Sequence, residues 1–166
     1  MKSQGKCKKN VLAIIDFQLS SNKERLWIID FATLTTVHHT LVAHGQGTGQ
    51  EFAQTFSNTP NSHQSSLGFY ITESTYQGKH GLSLRLQGVE KGVNHNAYDR
   101  AIVMHGAKYV SQDFIKQHGR LGRSHGCPAV SQEEHQAIIT TLQNKACLFI
   151  YYPDNNYHQT SELLQG

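Results

Sequence analysis

A cysteine with a histidine two residues before it lies in the stretch GRLGRSHGCPAVS, residues 119–131. The thiolate is the nucleophilic form of cysteine, and a free thiol with a pKa of about 8.5 is mostly protonated at neutral pH. Cys127 can therefore act as a nucleophile only if a base or a positive charge lies close to it. Arg120, Arg123 and the predicted start of a helix at Ser131 are local sources of positive charge.

The better base for this thiol is a histidine from another segment. His105 ends the apolar run AIVMHG, which predicts a buried strand, whereas His125 is too near Cys127 in the chain to reach its sulfur easily. A histidine fixed at a strand end can meet a thiol at hydrogen-bonding distance and accept its proton. Gly126 allows a sharp turn, so the backbone N–H groups of Gly126 and Cys127 are candidates for binding an oxyanion.

A zinc site is the main chemical alternative. His125 and Cys127 are spaced H-x-C, and His105 would be the third protein ligand of a catalytic zinc ion. The 11 histidines, however, form no H-x-x-x-H or H-E-x-x-H motif, and the 3 cysteines form no C-x-x-C. The residues therefore favour a thiol enzyme with no metal and no other cofactor, and a zinc hydrolase is kept as an alternative.

The elements that position these residues are mostly strands. The β-rich runs bounded by turn residues are residues 11–20, 25–33, 36–45, 67–78, 82–90, 101–106 and 146–152. Residues 50–66 are polar and lack periodicity, which predicts a long irregular loop of the kind that often carries function. Two helices are predicted, over residues 111–119 and 131–144, the second from a Ser-x-x-Glu capping box. The predicted fold class is mostly β (α+β), with one or two packed helices.

Length and composition indicate one domain of 166 residues, 37% of them hydrophobic. We predict a basic N-terminal tail over residues 1–10, the catalytic domain over 11–153 and a polar, frayed C-terminal tail over 154–166. The net charge of +3 is scattered, which argues against nucleic-acid binding through a basic stripe. No apolar run approaches the ~20 residues that span a membrane, and the run VLAIIDF does not resemble a secretory signal.

The three cysteines cannot all pair within one chain. Cys147 lies in the apolar run ACLFIYY, which predicts a small buried hydrophobic residue. Cys7 lies in the basic tail and is expected to be incidental. Only Cys127 has a polar, glycine-rich setting.

Several motifs resemble a known family. His105 and Gly106, followed by SHGC at residues 124–127, are similar to the signature of the L,D-transpeptidases, cysteine enzymes that remodel bacterial peptidoglycan. The runs TLVAHGQGTG, FSNTPNSHQSSLGFY and GKHGLSLRLQGVEKG are similar to a divergent branch, the murein L,D-transpeptidase catalytic-domain family. The resemblance extends over about residues 11–153.

The resemblance implies a β-sandwich or barrel-like domain with Cys127 in a cleft under a flap. It makes Cys127 the nucleophile and His105 its base, with Ser124 and His125 lining the cleft and Gly126 forming the turn. Such an enzyme takes an acyl group from the third residue of a peptidoglycan tetrapeptide stem, releases D-Ala and passes the acyl group to an amine or to water. The implied location is the bacterial periplasm or cell envelope.

The sequence departs from the family pattern directly after the cysteine. The family continues with a small apolar residue and then Arg or Asn, whereas this chain continues PAV. Arg120 and Arg123 are then the candidates to bind a stem carboxylate, because arginine can bind one through two parallel hydrogen bonds. His44 and the loop 57–66 are expected at the cleft wall. The departure also leaves open a catalytically silent cell-wall-binding domain of the same fold.

Overall fold

Eight strands and four short helices form the protein in a computed structural model that describes residues 5–165. The strands are β1 (Val11–Asp16), β2 (Leu26–Asp30), β3 (Thr35–Thr40), β4 (Gly68–Gly78), β5 (Gly81–Gly88), β6 (Val103–Ala107), β7 (Ala129–Ser131) and β8 (Cys147–Tyr151). The helices are α1 (Gln112–His118), α2 (His135–Leu142), α3 (Asn155–Thr160) and α4 (Glu162–Gln165). Each of the seven predicted β-rich runs overlaps a strand, and β7 was not predicted.

The strands form one sheet in the order β3-β2-β1-β8-β4-β5-β6-β7. The pairs β1–β8 and β6–β7 are parallel, and the others are antiparallel. The chain just beyond β3 returns to the far edge of the sheet, where Ala43 and Ala129 exchange two backbone hydrogen bonds of 2.8 and 3.3 Å. The sheet therefore nearly closes into a barrel, and the predicted fold class is confirmed.

Alternating burial along the strands explains how the sheet encloses its core. In β1, Ala13 and Ile15 are buried while their neighbours are partly exposed, as expected for a strand with one face on the core. Helix α2 packs Ile138, Ile139 and Leu142 into the same cluster. A smaller apolar cluster lies where the sheet closes, and consists of Leu41, Ala43, Ala107, Val110, Leu121 and Ala129.

The first predicted helix is confirmed and the second begins later than predicted. Ser111 caps α1 through a 3.1 Å bond from the Phe114 N–H. Ser131, in contrast, belongs to β7, because Ala129–Ser131 pairs with β6, and α2 begins only at His135. The Ser131 hydroxyl still accepts the Glu134 N–H (3.2 Å), so the predicted capping interaction stabilises a turn before the helix. The start of α2 is thus separated from Cys127 by a strand.

The C-terminal segment is packed against the domain, so the expectation of a frayed tail is wrong. The Tyr157 side chain of α3 is buried, and its hydroxyl donates to the carboxylate of the buried Glu90 (3.1 Å). The Ser161 hydroxyl donates to the same carboxylate. A polar sequence can still be ordered when a few of its side chains reach a buried acceptor.

The N-terminal segment also contacts the domain, although residues 1–4 of the predicted basic tail lie outside the described residues. Cys7 is buried, and the Lys8 N–H donates to the Lys145 carbonyl (2.8 Å). No helix among residues 5–165 is long and apolar enough to cross a lipid bilayer.

Candidate active site

A tight turn at residues 124–127 holds Cys127 at the entrance to β7. The Ser124 hydroxyl donates to the Cys127 carbonyl (2.6 Å) and accepts the Gly126 N–H (3.1 Å). The backbone of Ser124 is bound in turn to the loop after β3, since its N–H donates to the His44 carbonyl (3.0 Å). Ser124 is buried, so this side chain shapes the turn rather than presenting its hydroxyl to solvent.

Gly126 is required by both the conformation and the packing of this turn. Its φ is +118°, which side-chain-bearing residues rarely adopt. A Cβ there would lie 2.8 Å from the Gln64 carbonyl oxygen. Ser65 strengthens the contact, because its hydroxyl donates to the Gly126 carbonyl (3.2 Å). The predicted loop 57–66 therefore packs directly on the cysteine turn.

The Cys127 thiol is only partly exposed and is hydrogen bonded to backbone. The Val103 N–H donates to Sγ (3.4 Å), and the thiol faces the Ala101 carbonyl oxygen at 3.7 Å. Burial raises the pKa of Cys127 above that of a free cysteine, while the Val103 N–H and the charges of Arg100 and Lys79 oppose the rise. The resting group is thus the neutral thiol, which would need a base in order to act as a nucleophile.

His105 lies on the strand next to the turn, with one ring nitrogen already bound. In β6 it is paired with Ala129, two residues after Cys127. The Val103 N–H that donates to the Cys127 sulfur belongs to the same strand, two residues before His105. Its Nδ1 is 3.0 Å from the Gly106 carbonyl oxygen, and since a carbonyl only accepts, Nδ1 carries the proton. Nε2 is then the basic nitrogen. Among the described residues, no hydrogen bond joins His105 to the thiol.

The protonation state of His105 suits a base. Burial lowers its pKa below that of a free histidine; the Gly106 carbonyl opposes this, and His80, Lys79 and His135 add to it. The ring of His80, at the tip of the β4–β5 hairpin, stacks on His105 with centroids 4.4 Å apart. The imidazole is therefore neutral at neutral pH and is held in a fixed orientation.

Arg100 is the arginine whose charge acts on Cys127, and sequence reasoning missed it. Its guanidinium donates to the carbonyls of Ser57 (2.8 Å) and Gln64 (2.6 Å), so it also holds the loop that covers the turn. Arg100 lies outside the HG and SHGC motifs, and only the folded chain brings it to them. No pattern in the sequence signals this contact.

The two predicted arginines donate to backbone carbonyls instead, Arg123 to another loop and Arg120 to the next residue of its own segment. Arg123 donates to the Gly49 carbonyl (3.1 Å), and Arg120 donates to the Leu121 carbonyl (2.8 Å). The role of both arginines as carboxylate-binding residues stays a prediction. A bound substrate would have to compete with these carbonyls for the guanidinium groups.

The two other predicted histidines lie in different surroundings. His125 is exposed and stacks on His63 with centroids 4.2 Å apart. His44 is buried: its Nδ1 accepts from the Arg25 guanidinium (2.8 Å), and its Nε2–H donates to the Gln50 carbonyl (3.1 Å). Burial, with the Arg25 charge next, lowers the pKa of His44 to about 4. A direct substrate contact by His44 would require this loop to open.

Only one of the two predicted oxyanion donors, the N–H groups of Gly126 and Cys127, is free to bind an oxyanion. The Gly126 N–H is already donated to Ser124. Among residues 5–165, no hydrogen bond uses the Cys127 N–H, which leaves it as a free donor next to the Cys127 sulfur.

The cleft next to His105 is basic. Its volume is about 560 Å³, and it is lined by Lys79, His80, Gly81, Gly106, Ala107, Lys108, Tyr109, Gln132 and His135. No carboxylate is among these residues, so the cleft favours an anionic ligand. Burial, followed by the nearby Cys127, raises the pKa of Tyr109 to about 12, so its hydroxyl is a proton donor at neutral pH.

The zinc alternative is not supported by this arrangement. His105 and His125 are each stacked on another histidine. Across residues 5–165, the structure brings together no group of three or more His, Cys, Asp or Glu side chains that could hold a metal ion.

Solved structures share this fold at low sequence identity. The helical cell shape determining protein Pgp2 from Campylobacter jejuni superposes with a TM-score of 0.56 at 10% identity, over 89% of this chain and 49% of that one. For L,D-transpeptidase 3 from Mycobacterium tuberculosis, in complex with a faropenem-derived adduct, the TM-score is 0.55 at 11% identity, over 86% and 60%. For an L,D-transpeptidase from Mycobacterium smegmatis it is 0.53 at 9% identity, over 86% and 59%. This chain thus spans 49–60% of the length of these proteins.

The family comparison covers most of the sequence. No curated protein matches the chain. The family described as L,D-transpeptidase catalytic domain, however, matches residues 1–151 of the 166. The chain therefore belongs to the L,D-transpeptidase catalytic-domain family.

Proposed function

We propose that the chain is a cysteine acyltransferase that acts on peptidoglycan stem peptides through a thioester on Cys127, with His105 as general base. The observation that carries the proposal is the bond from His105 Nδ1 to the Gly106 carbonyl, which leaves Nε2 as the basic nitrogen beside the cysteine turn. Membership of the L,D-transpeptidase catalytic-domain family supports the same chemistry. We place the activity in the bacterial periplasm or cell envelope, where peptidoglycan lies.

Acylation begins when the Cys127 thiol rotates from the Ala101 carbonyl toward His105. Nε2 takes the thiol proton as the sulfur attacks the carbonyl carbon of the third stem residue. The Cys127 N–H, which no described hydrogen bond uses, stabilises the oxyanion. The imidazolium then gives its proton to the leaving amine, so D-Ala departs and a thioester remains.

Deacylation repeats these proton transfers in the second half of the reaction. An amine of another stem, or water, attacks the thioester carbonyl while His105 takes its proton. The sulfur leaves as thiolate and is protonated by the imidazolium. Attack by an amine gives a cross-link, and attack by water gives a shortened stem.

The basic cleft supports a substrate with free carboxylates. Lys79 and Lys108 are exposed lysines that line this cleft together with Gly106, which follows the proposed base. Their charges attract stem carboxylates to the side of His105. Arg120 and Arg123 stay as candidates for a second carboxylate on the other side of the turn.

The direct test incubates the protein with purified tetrapeptide muropeptides and follows the products by mass spectrometry. We expect loss of D-Ala, with or without new cross-links, and no product from Cys127→Ala. Cys147→Ser is the matched control, since it removes a thiol far from the turn and should keep the activity. Product formation by Cys127→Ala would refute the proposal.

A catalytically silent wall-binding domain is the second candidate, favoured by the bonding of the thiol to Val103 and Ala101 rather than to His105. It predicts binding to purified sacculi without turnover. It also predicts that iodoacetamide alkylates Cys127 no faster than free cysteine. Rapid alkylation that is lost in His105→Asn would instead favour the enzyme.

A further inference from the structure

Two cysteines that the proposed chemistry does not use lie side by side, 140 positions apart in the chain. Cys7 is 7% exposed, and it is followed by Lys8, whose N–H donates to the Lys145 carbonyl (2.8 Å). The ammonium of Lys9 donates to the Thr141 carbonyl (2.8 Å). These bonds hold the segment before β1 against the end of α2 and the residues just before β8, where Cys147 is located.

Both thiols line one apolar cavity of about 300 Å³, whose other lining residues are Lys9, Val11, Leu12, Phe31, Phe69 and Leu163. The two thiols lie close together in this cavity. Burial, followed by the neighbouring Cys7, raises the pKa of Cys147 to about 12. The cavity gives a small thiol-reactive molecule a path to the pair. Both cysteines are free in the structure.

We propose that Cys7 and Cys147 are a modification site, at which a disulfide forms and fastens the N-terminal segment to β8. The oxidant is a disulfide compound such as oxidised glutathione. One protein thiolate attacks a glutathione sulfur and releases one reduced glutathione; the second protein thiolate then attacks the mixed disulfide and releases another. Two protein thiols are oxidised, one glutathione disulfide is reduced, and the two thiol protons pass to the two released thiolates.

The environment of the pair makes the bond hard to reduce once it is formed. A disulfide is easily reduced when the thiolate of its reduced form is stabilised. Burial instead disfavours the Cys147 thiolate, because it raises the pKa of this thiol. The same burial makes formation slow at neutral pH and faster at alkaline pH, because the attacking form is the thiolate.

The pairing also accounts for the odd number of cysteines. A bond between Cys7 and Cys147 leaves Cys127 as the one free thiol of the three. The inference does not depend on the proposed function, since neither residue of the pair contacts the turn at residues 124–127 through any described hydrogen bond.

The test equilibrates the full chain with oxidised and reduced glutathione at pH 8.5 (about the pKa of a free thiol) and maps its peptides under non-reducing conditions. We expect a mass lower by two hydrogen atoms, a linked peptide that contains Cys7 and Cys147, and a Cys127 that still reacts with iodoacetamide. A link that involves Cys127, separate glutathione adducts on Cys7 and Cys147, or three unmodified thiols would each overturn the proposal.

A second measurement uses Cys7→Ser as the matched control. The bond closes a loop of 141 residues (7 to 147 inclusive) in the unfolded chain, so oxidation should raise the thermal midpoint of the wild type by on the order of 10 °C. Oxidation should leave the midpoint of Cys7→Ser unchanged. The proposal would be wrong if oxidation raised the thermal midpoint equally in the wild type and in Cys7→Ser. It would also be wrong if the thermal midpoint of a wild type with the mapped Cys7–Cys147 link did not rise.

Discussion

Replacement of Gly126 by alanine tests whether the cysteine turn is held as tightly as its contacts indicate. Alanine must adopt a φ of +118° at this position. Its methyl group would lie 2.8 Å from the backbone oxygen of Gln64, which cannot move away by a side-chain rotation. Strain at such a φ costs about 1–3 kcal/mol, and overpacking costs a similar ~1–3 kcal/mol. The expected loss is therefore about 2–6 kcal/mol of unfolding free energy, or roughly 5–20 °C in Tm.

The functional loss should exceed what instability alone explains. Relief of the contact moves the Cα of Gly126, and with it the Cys127 sulfur, and a misplacement of about 1 Å can cost roughly 100-fold in rate. The assay uses a carbapenem, a thiol-reactive acylating agent that we expect to modify Cys127 if this residue is the proposed nucleophile. Its acylation rate is followed by intact mass below the Tm of the variant. We expect a fall of about 100-fold.

Gly92→Ala is the control for the effect of φ alone. Gly92 has a φ of +81°, but a Cβ there would meet nothing within 4 Å. Alanine at position 92 should therefore cost about 1–2 kcal/mol, with no change in acylation rate. Equal losses of stability and equal rates in the two variants would show that the contact with Gln64 does not position the cysteine, and the account of the turn would be wrong.

Three further predictions concern titration and the C-terminal helices. The acylation rate of Cys127 should fall at acid pH with a midpoint below about 6.5, because the lowered pKa of His105 keeps its imidazole unprotonated to lower pH. A pH profile of kcat/KM that is unchanged in His105→Asn would contradict this. The pKa of about 4 for His44 means that the unfolded chain binds more protons, so about 3 kcal/mol of stability, present above pH ~6.5, should be lost as the pH falls toward 4. Urea unfolding of wild type and His44→Gln checks this, and an equally steep pH dependence in both would refute it. Tyr157→Phe removes a hydrogen bond to the Glu90 carboxylate and should cost about 1.5–3 kcal/mol in urea unfolding, with unchanged acylation of Cys127; no loss of stability would mean that α3 is not held by this bond.

The strands were predictable from sequence because their patterns are local. Alternating or continuous apolar runs bounded by turn residues marked seven of the eight strands. The missed strand, Ala129–Ser131, has three residues and follows a proline, and it exists because β6 and the chain after β3 both pair with it. The same pairing moved the start of α2, since a serine and a glutamate three residues apart stabilise a turn as readily as a helix cap.

The candidate site was predictable where it rests on motifs and was missed where it rests on folding. Cys127 and His105 stand out by residue type and setting. The charge of Arg100 and the burial of His44 by Arg25 depend on contacts between residues that are far apart in sequence. Their side chains give no periodic or spacing signal, so only the fold assigns them.

The seam at which Ala43 meets Ala129 makes the cysteine turn part of the closure of the sheet. Gly45 pairs with Ser124 along the same seam, so transient separation of the two edges would release the turn as well. Amide hydrogens on both sides, at Ala43, Ser124 and Ala129, should therefore exchange with solvent as one cooperative unit. An acyl group on Cys127 that contacts both edges would slow all three together, which couples occupancy of the site to the integrity of the barrel.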